Sequence, residues 1–272
     1  MLTREELFKQ AEARGLPAVK ARGIVREYFH YLMLHGINTH TDRLIFTGGT
    51  ALRIVHNFGR LSFDLDFDAS DLSKNEFKDI IERIQKDLVR LGAEVKSGRL
   101  KQRGNILTAE IKILNAFKLY DITTAQEHLM VKVEALNVAG SRLRPEIKLV
   151  RNFDGQTILV NVLTLEYLAA EKTAAFFERA RERDYYDVLF LVLNKAPIDL
   201  DLLSTILVKT KFTDIPHLLE KIKTKFEQAD LAKIHKKLEP FLIVPGHLQV
   251  IKNSVQLLSE HIKKINRLSP DG

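Results

Sequence analysis

The chain has no cysteine among its 272 residues. This absence excludes disulfides, thiolate metal sites and cysteine nucleophiles, and it fits a reducing compartment, so we expect a cytoplasmic protein. No apolar run approaches the roughly 18 residues that a membrane span requires, and the first residues form no apolar signal region. The nine histidines show no paired spacing, so we assign none of them to a metal.

The remaining composition is that of a globular protein with a basic surface. Apolar residues make up 45% and charged residues 28% of the chain, which is long enough to bury a core as one large domain or a domain with an appendage. The formal net charge is +7. A basic surface favours phosphate-rich partners such as nucleic acid, although charge of this size also serves plain solubility.

The hydrophobic pattern predicts helices and strands in a mixed order. Two helices are expected over residues 3–14 and 18–35, with Gly36 as the stop signal of the second. A strand, a helix, a strand and another helix follow over residues 43–47, 50–58, 62–68 and 75–91. Residues 93–162 are β-rich, with strands at 106–113, 129–135 and 157–162. From residue 164 the chain is helical, and three or four amphipathic helices are expected beyond residue 196. Pattern alone therefore gives an α/β or α+β protein.

A glycine turn and two aspartates form the most informative stretch. Gly48, Gly49 and Thr50 follow an apolar run and open a helix, and glycines at such a point let backbone approach a phosphate that the helix N-terminus attracts. Thr50 can cap that helix or donate its hydroxyl to phosphate. Asp64 and Asp66 lie on one face of the next strand, where two like charges need a cation between them. Mg²⁺ prefers such hard oxygen ligands, so the stretch predicts a site for a metal–triphosphate complex.

A glycine turn, a helix and then Asp-x-Asp resemble the signature of the polymerase-β-like nucleotidyltransferases, and this resemblance implies a third carboxylate on a neighbouring strand, as metal ligand or general base. Glu134, in Lys-Val-Glu, is our candidate, and Glu110 is the second choice. An exposed Lys-x-Glu pair on a strand is also a routine surface feature, so the identity of the base stays open.

The motifs together resemble one family. Gly-Gly-Thr-Ala-Leu, Ser-Phe-Asp-Leu-Asp-Phe, Ala-Glu-Lys at residues 170–172 and Arg-Asp-Tyr-Tyr-Asp at 183–187 are similar in order to the AbiEii/AbiGii toxin-type nucleotidyltransferases, within the polymerase-β-like superfamily. The likeness covers roughly residues 40–195. It implies an α+β fold with a polymerase-β-like nucleotidyltransferase core and a small mixed sheet over residues 1–195, followed by a C-terminal helical region over 196–272.

The resemblance also implies a reaction and its residues. It implies Mg²⁺-dependent transfer of a nucleoside monophosphate from a triphosphate to an acceptor hydroxyl, with Lys172 on the triphosphate, Asp184 in support and Asp187 as a weaker candidate. The family link implies a toxin–antitoxin or phage-defence role and a cognate antitoxin. By analogy with some relatives, the 3′ end of a tRNA is the candidate acceptor. A small-molecule (antibiotic-type) nucleotidyltransferase and a non-catalytic nucleotide- or RNA-binding module remain the alternatives.

The C-terminal helices carry many lysines, which are either the exposed faces of amphipathic helices or a surface that faces an RNA acceptor. Few aromatic residues lie between them, so base stacking is not indicated. These lysines are Lys209, Lys211, Lys221, Lys223, Lys225, Lys233, Lys236 and Lys237.

Overall fold

The computed structural model describes residues 1–140, 143–207 and 212–268, with side chains described up to residue 265. The chain divides into two compact units, residues 1–163 and 164–272. Each unit has its own core, and each is considered by itself below. The functional boundary predicted after residue 195 stays a prediction, because compactness does not identify the helices that a reaction needs.

Two helices open the first unit. Helix α1 (Arg4–Ala13) begins at a capping box in which Thr3 and Glu6 bond each other's backbone. A 3₁₀ turn (Ala18–Lys20) leads into α2 (Ala21–His40). The predicted stop at Gly36 is wrong, because α2 continues for four more residues. Burial of Ile37, which is completely shielded from solvent, outweighs the cost of about 1 kcal/mol for a glycine inside a helix.

The described residues form an eight-stranded mixed sheet in the order β3-β5-β6-β2-β1-β8-β7, with β4 paired to β5. Only the β1–β8 and β2–β6 pairs are parallel among the described strands. The mixed sheet within an α+β fold agrees with the prediction. The strands are β1 (Ile45–Thr47), β2 (Leu65–Ala69), β3 (Val95–Ser97), β4 (Lys101–Arg103), β5 (Ile106–Ile113), β6 (Leu129–Asn137), β7 (Pro145–Arg151) and β8 (Thr157–Leu163).

The two faces of the sheet differ in polarity. On β6, Val131, Val133 and Ala135 are buried, whereas the alternate positions Lys132 and Glu134 are partly accessible, as the sequence pattern predicts. Strand β5 alternates in the same way. Helix α4 (Lys74–Arg90) begins at a second capping box, between Ser73 and Glu76, and contacts β3, β5 and α2. The accessible face therefore stays open for polar side chains.

The second unit is helical. Its core includes Phe176, whose ring lies 4.9 Å from that of Tyr185 and 5.6 Å from that of Phe226. Beyond residue 196 the described residues form five α-helices, more than the three or four expected, because α7 and α10 are too short to carry a periodic signal. The helices are α5 (Leu165–Glu178), α6 (Glu182–Leu193), α7 (Leu200–Ile206), α8 (Ile215–Glu227), α9 (Leu231–Leu238), α10 (His247–Lys252) and α11 (Ser254–Leu268). None of the described helices has the length and apolar character needed to cross a membrane.

Candidate functional site

The glycine turn joins β1 directly to helix α3 (Gly48–His56). Gly48 has φ +77°, and a Cβ added there would overlap the Asp66 carboxylate and lie 2.9 Å from its Cβ. At Gly49 an added Cβ would lie 2.6 Å from a guanidinium nitrogen of Arg60. Gly48 therefore requires glycine, whereas a side chain at Gly49 would require the buried Arg60 to shift. The Thr47 side chain makes no capping hydrogen bond to α3, so the first-turn N–H groups of the helix are suited to an anion.

Thr50 lies in the first turn of α3 and is buried. Its hydroxyl donates a hydrogen bond to the backbone carbonyl of Asp64. The sequence predicts that this hydroxyl caps the helix or binds a phosphate. In the structure it instead holds the segment that leads into β2. The nucleotide-binding role of Thr50 stays a prediction, and its observed role is to hold the glycine turn against the aspartate segment.

Asp64 and Asp66 stand at the start of β2 on the accessible face, and both are partly exposed. The strand register places Asp66 between Thr47 of β1 and Glu134 of β6. Asp68, next in phase, is buried. The glycine turn and the two accessible carboxylates therefore meet at one edge of two neighbouring strands, and the binding of phosphate by this turn stays a prediction.

Two side chains of α2, which the sequence pattern did not single out, hold the residue before Asp64. The carbonyl of Phe63 accepts a hydrogen bond from Arg26 Nη1 at 3.3 Å and lies 3.2 Å from His30 Nε2. Burial, together with the charge of Arg26, lowers the pKa of His30 to about 3, so the ring is neutral at pH 7. Burial lowers the pKa of Arg26 to about 10 even though Asp64 opposes that change. In the sequence, the signal for this pair was the four-residue spacing of Arg26 and His30 on α2.

Glu134 lies beside Asp66 on the adjacent parallel strand. It accepts hydrogen bonds from Lys132 Nζ at 3.1 Å and from Thr108 Oγ1 at 3.4 Å. Glu110 is opposite Lys132 on β5, one strand further from β2. Of the two candidates for a third carboxylate, the register therefore brings Glu134 next to the aspartates, and its role as base stays a prediction.

Lys132 is a further residue that the sequence pattern did not single out. Burial by itself lowers the pKa of its ammonium group, but the hydrogen bond to Glu134 and the charges of Glu134, Asp64 and Asp66 outweigh it, so the pKa is raised. The charges of all three carboxylates therefore raise the pKa of this one lysine. The in-phase spacing of Lys132 and Glu134 was the signal in the sequence.

The oxygen donors at this edge fit a magnesium ion that arrives with a nucleotide. Across the described residues, no group of three or more His, Cys, Asp or Glu side chains is arranged to hold a metal. Magnesium bound through one or two carboxylates takes its other oxygens from water and substrate phosphates. Asp64 and Asp66 would supply the carboxylates, and the absence of a side chain at Gly48 lets the Asp66 carboxylate lie against the glycine turn.

The second unit contains the predicted lysine and both downstream aspartates. Lys172 Nζ lies 3.4 Å from Asp187 Oδ2, with exposed side-chain fractions of 12% and 1%. Asp184 instead accepts two hydrogen bonds of 3.1 Å from Arg179, and one of 2.9 Å from the backbone N–H of Arg181. Asp184 therefore caps α6. The predicted role of Lys172 on a triphosphate, with Asp184 in support, stays a prediction, and the observed partner of Lys172 is Asp187.

The predicted basic surface of the C-terminal helices is partly engaged within the protein. Lys225 donates to the carbonyl of Phe177 at 2.9 Å, Lys223 pairs with Glu220, and Lys237 pairs with Glu182. Three further lysines are exposed, namely Lys221, Lys233 and Lys236. Lys209 and Lys211 lie outside the described residues.

Comparisons with known proteins identify the family and the fold of this chain. A family model described as nucleotidyl transferase AbiEii toxin, Type IV toxin–antitoxin system, matches residues 32–244. JHP933 from Helicobacter pylori has a similar fold, with a TM-score of 0.57 and 15% sequence identity over 91% of this chain and 95% of that one. MenT4, a nucleotidyltransferase toxin from Mycobacterium tuberculosis, gives a TM-score of 0.56 and 16% identity over 96% and 90% of the two chains. No curated protein matches the sequence significantly.

Proposed function

Because the chain belongs to the AbiEii family of nucleotidyl transferase toxins, we propose that it moves a nucleoside monophosphate from a nucleoside triphosphate to an acceptor hydroxyl. The acceptor oxygen attacks the α-phosphorus, the bond to the leaving pyrophosphate breaks, and the hydroxyl proton passes to a base. The observation that carries the proposal is that the Asp66 carboxylate fills the space that a Cβ on Gly48 would need. This closeness supports a site in which a turn suited to phosphate lies beside a carboxylate suited to a metal ion.

The triphosphate is the group that the glycine turn suits. Gly48 and Gly49 bring backbone close to the phosphate oxygens, and the first turn of α3 offers N–H groups to their negative charge. Thr50 fixes the Asp64 backbone to α3, so that the glycine turn and the two carboxylates keep their spacing. A phosphoryl-type transfer depends mainly on such positioning and on neutralising charge.

Asp64 and Asp66 are the residues that would hold Mg²⁺. When bound, the ion would supply positive charge that offsets the negative charge developing on the phosphate in the transition state. The two carboxylates orient the site from one face of the sheet, and Arg26 and His30 restrain the backbone just before Asp64. Glu134, the in-register neighbour of Asp66, is the candidate to receive the acceptor proton.

Lys172 is the proposed cation for the triphosphate. An ammonium group suits a phosphate as a compact point charge. Its ion pair with the buried Asp187 restrains the lysine on α5. Asp184 is proposed to act less directly, by fixing the start of α6 through Arg179 and the backbone of residue 181.

The biological role follows from the family. We propose that the protein is the toxin of a toxin–antitoxin or phage-defence pair with a cognate antitoxin, and that an RNA such as a tRNA accepts the nucleotide. The net charge of +7 and the exposed lysines of the C-terminal helices support an RNA acceptor over a cationic small molecule.

The test is incubation with Mg²⁺, total tRNA and each α-labelled triphosphate in turn. We expect label to enter RNA with the wild-type protein and to fall at least about a hundredfold with Asp64→Asn plus Asp66→Asn, because the charge-neutralising site is lost. Asp79→Asn, an exposed aspartate of α4, is the matched control. Transfer at the wild-type rate by the double variant would place the site elsewhere, and transfer to a small molecule but not to RNA would support the antibiotic-type alternative.

A further inference from the structure

Lys132 lies within a group of acidic side chains on the accessible face of the sheet. Its ammonium group hydrogen-bonds Glu134 at 3.1 Å, and the two side chains are about one-third exposed, 34% and 33%. Glu134 is in register with Asp66 on the parallel neighbour β2, and Glu110 faces Lys132 from β5. Carboxylates from three adjacent strands therefore share one face of the sheet with Lys132, which is paired with Glu134.

Positive charge must offset these carboxylates when no metal is bound. Arg26 is near Asp64, but its guanidinium hydrogen-bonds the carbonyls of Phe63 and Met130, which restrains it. Lys132 carries its charge on a flexible stem beside Glu134, and the charges of Glu134, Asp64 and Asp66 raise the pKa of its ammonium group. Lys132 is thus a cation that can move without breaking a backbone contact.

We propose that Lys132 is the built-in counter-cation of the acidic cluster, and that it keeps Glu134 from serving as a third metal ligand, so that the divalent ion binds only together with the triphosphate. This inference rests on the proposed function, because it concerns the same Asp64 and Asp66 site. It assigns Lys132 a positioning role that the motifs do not contain.

The electrostatics explain the coupling. A divalent ion without nucleotide meets two aspartates, a glutamate already paired, and the repulsion of the Lys132 ammonium group. A metal–triphosphate complex brings its own oxygen ligands and negative charge, which attract the same ammonium group. Metal and nucleotide therefore assist each other's binding, and this assistance is reciprocal.

The experiment measures binding of Mn²⁺, an oxygen-seeking probe ion, by electron paramagnetic resonance with and without a non-hydrolysable ATP analogue. Lys132→Met should tighten nucleotide-free Mn²⁺ binding about tenfold or more, since a like charge a few ångströms away at an effective dielectric constant of about 20 opposes the ion by at least that factor. Lys132→Met with Glu134→Gln should lose most of this gain. Lys112 lies on the accessible face of β5, and the Lys112→Met variant should bind Mn²⁺ as the wild type does.

Thermal unfolding supplies a second readout that a purely structural lysine would not move in the same way. In chelator the Lys132→Met variant should melt below the wild type, because Glu134 loses its ion-pair partner beside the aspartates, and Mn²⁺ should restore the loss. A lysine needed only for packing would lower the melting temperature equally with and without Mn²⁺, and that result would overturn the inference.

The outcomes also separate this inference from the proposed function. Loss of Mn²⁺ binding in Asp64→Asn plus Asp66→Asn, with wild-type affinity in Lys132→Met, would refute only the role of Lys132. Wild-type Mn²⁺ affinity in the double aspartate variant would refute the metal site itself. If Lys132→Met tightens Mn²⁺ binding in the absence of nucleotide and Glu134→Gln reverses that gain, the result supports both the metal site and the role of Lys132.

Discussion

The Asp66 side chain leaves no room for a side chain at Gly48. A Cβ on Gly48 would lie 2.9 Å from the Asp66 Cβ. Gly48→Ala should therefore displace the carboxylate and also strain a residue at φ +77°. We expect transfer to fall at least about a hundredfold, because misplacing a reacting group by about an ångström has an effect of that size.

Gly15→Ala is the matched control for this change. Gly15 has φ +71° and no atom within 4 Å of an added Cβ, so it isolates the backbone strain, about 1 kcal/mol. Chemical unfolding of both variants separates strain from collision. Equal destabilisation of the two, with normal transfer by Gly48→Ala, would show that the close approach to Asp66 is not needed.

The buried pair of Lys172 and Asp187 predicts a stability effect that the motif alone did not. Lys172→Met leaves the almost fully buried Asp187 without this cation, and removing one partner of a buried pair costs about 3–5 kcal/mol. Lys172→Met with Asp187→Asn should regain much of that loss. If Lys172 also serves the triphosphate, the stable double variant will still bind nucleotide poorly, which isothermal titration can measure. Lys221→Met, at an exposed lysine of α8, should leave both unchanged.

His30 predicts a loss of stability in acid. Burial and Arg26 hold its pKa at about 3 in the folded protein, against about 6.5 in the unfolded chain, so the unfolded chain binds more protons between these values. The stabilisation is fully present above about pH 6.5 and is lost as the pH falls, by at most about 1.4 kcal/mol per pH unit. His30→Gln should flatten the dependence of unfolding free energy on pH between about 6 and 4. An unchanged slope would mean that His30 does not titrate in this way.

The exposed lysines predict a salt-dependent affinity for tRNA. Replacing Lys221, Lys233 and Lys236 with glutamine should weaken binding and reduce the slope of log K against log salt by about 0.7–0.9 for each phosphate that the protein no longer neutralises. The same change at Lys74, Lys78 and Lys86, on α4 of the first unit, is the control. Fluorescence anisotropy between about 50 and 300 mM salt, roughly the range over which such interactions weaken, gives both slopes. Binding that ignores salt would favour a small-molecule acceptor.

Local chemistry made the outline of the fold and of the site predictable. Alternation on β6 places Glu134 on its accessible face, Asp64 and Asp66 are partly exposed where β2 begins, and the glycine pair marks the start of α3. These features depend on residues close in sequence. The extension of α2 beyond Gly36 was not predictable in this way, because the burial of Ile37 that drives it comes from tertiary packing.

Other parts of the site depend on strand register and on contacts between distant elements. The hydroxyl of Thr50 bonds a carbonyl 14 residues away in the chain, and Arg26 and His30 contact the carbonyl of Phe63 from helix α2. Lys132 and Glu134 look like a surface pair until the register with Asp66 is known. No periodicity in a single sequence contains such pairings, so they became visible only in the fold.

Met130, on the open face of β6 two residues before Lys132, has 40% of its surface exposed. Because the chain has no cysteine, a Met130→Cys substitution would create its sole thiol. One spin label or fluorophore could then be attached without editing any other residue. Its relaxation or emission would report from a known strand, two residues from the acidic cluster, on every ion and nucleotide that enters, which makes this strand a natural place for a spectroscopic probe.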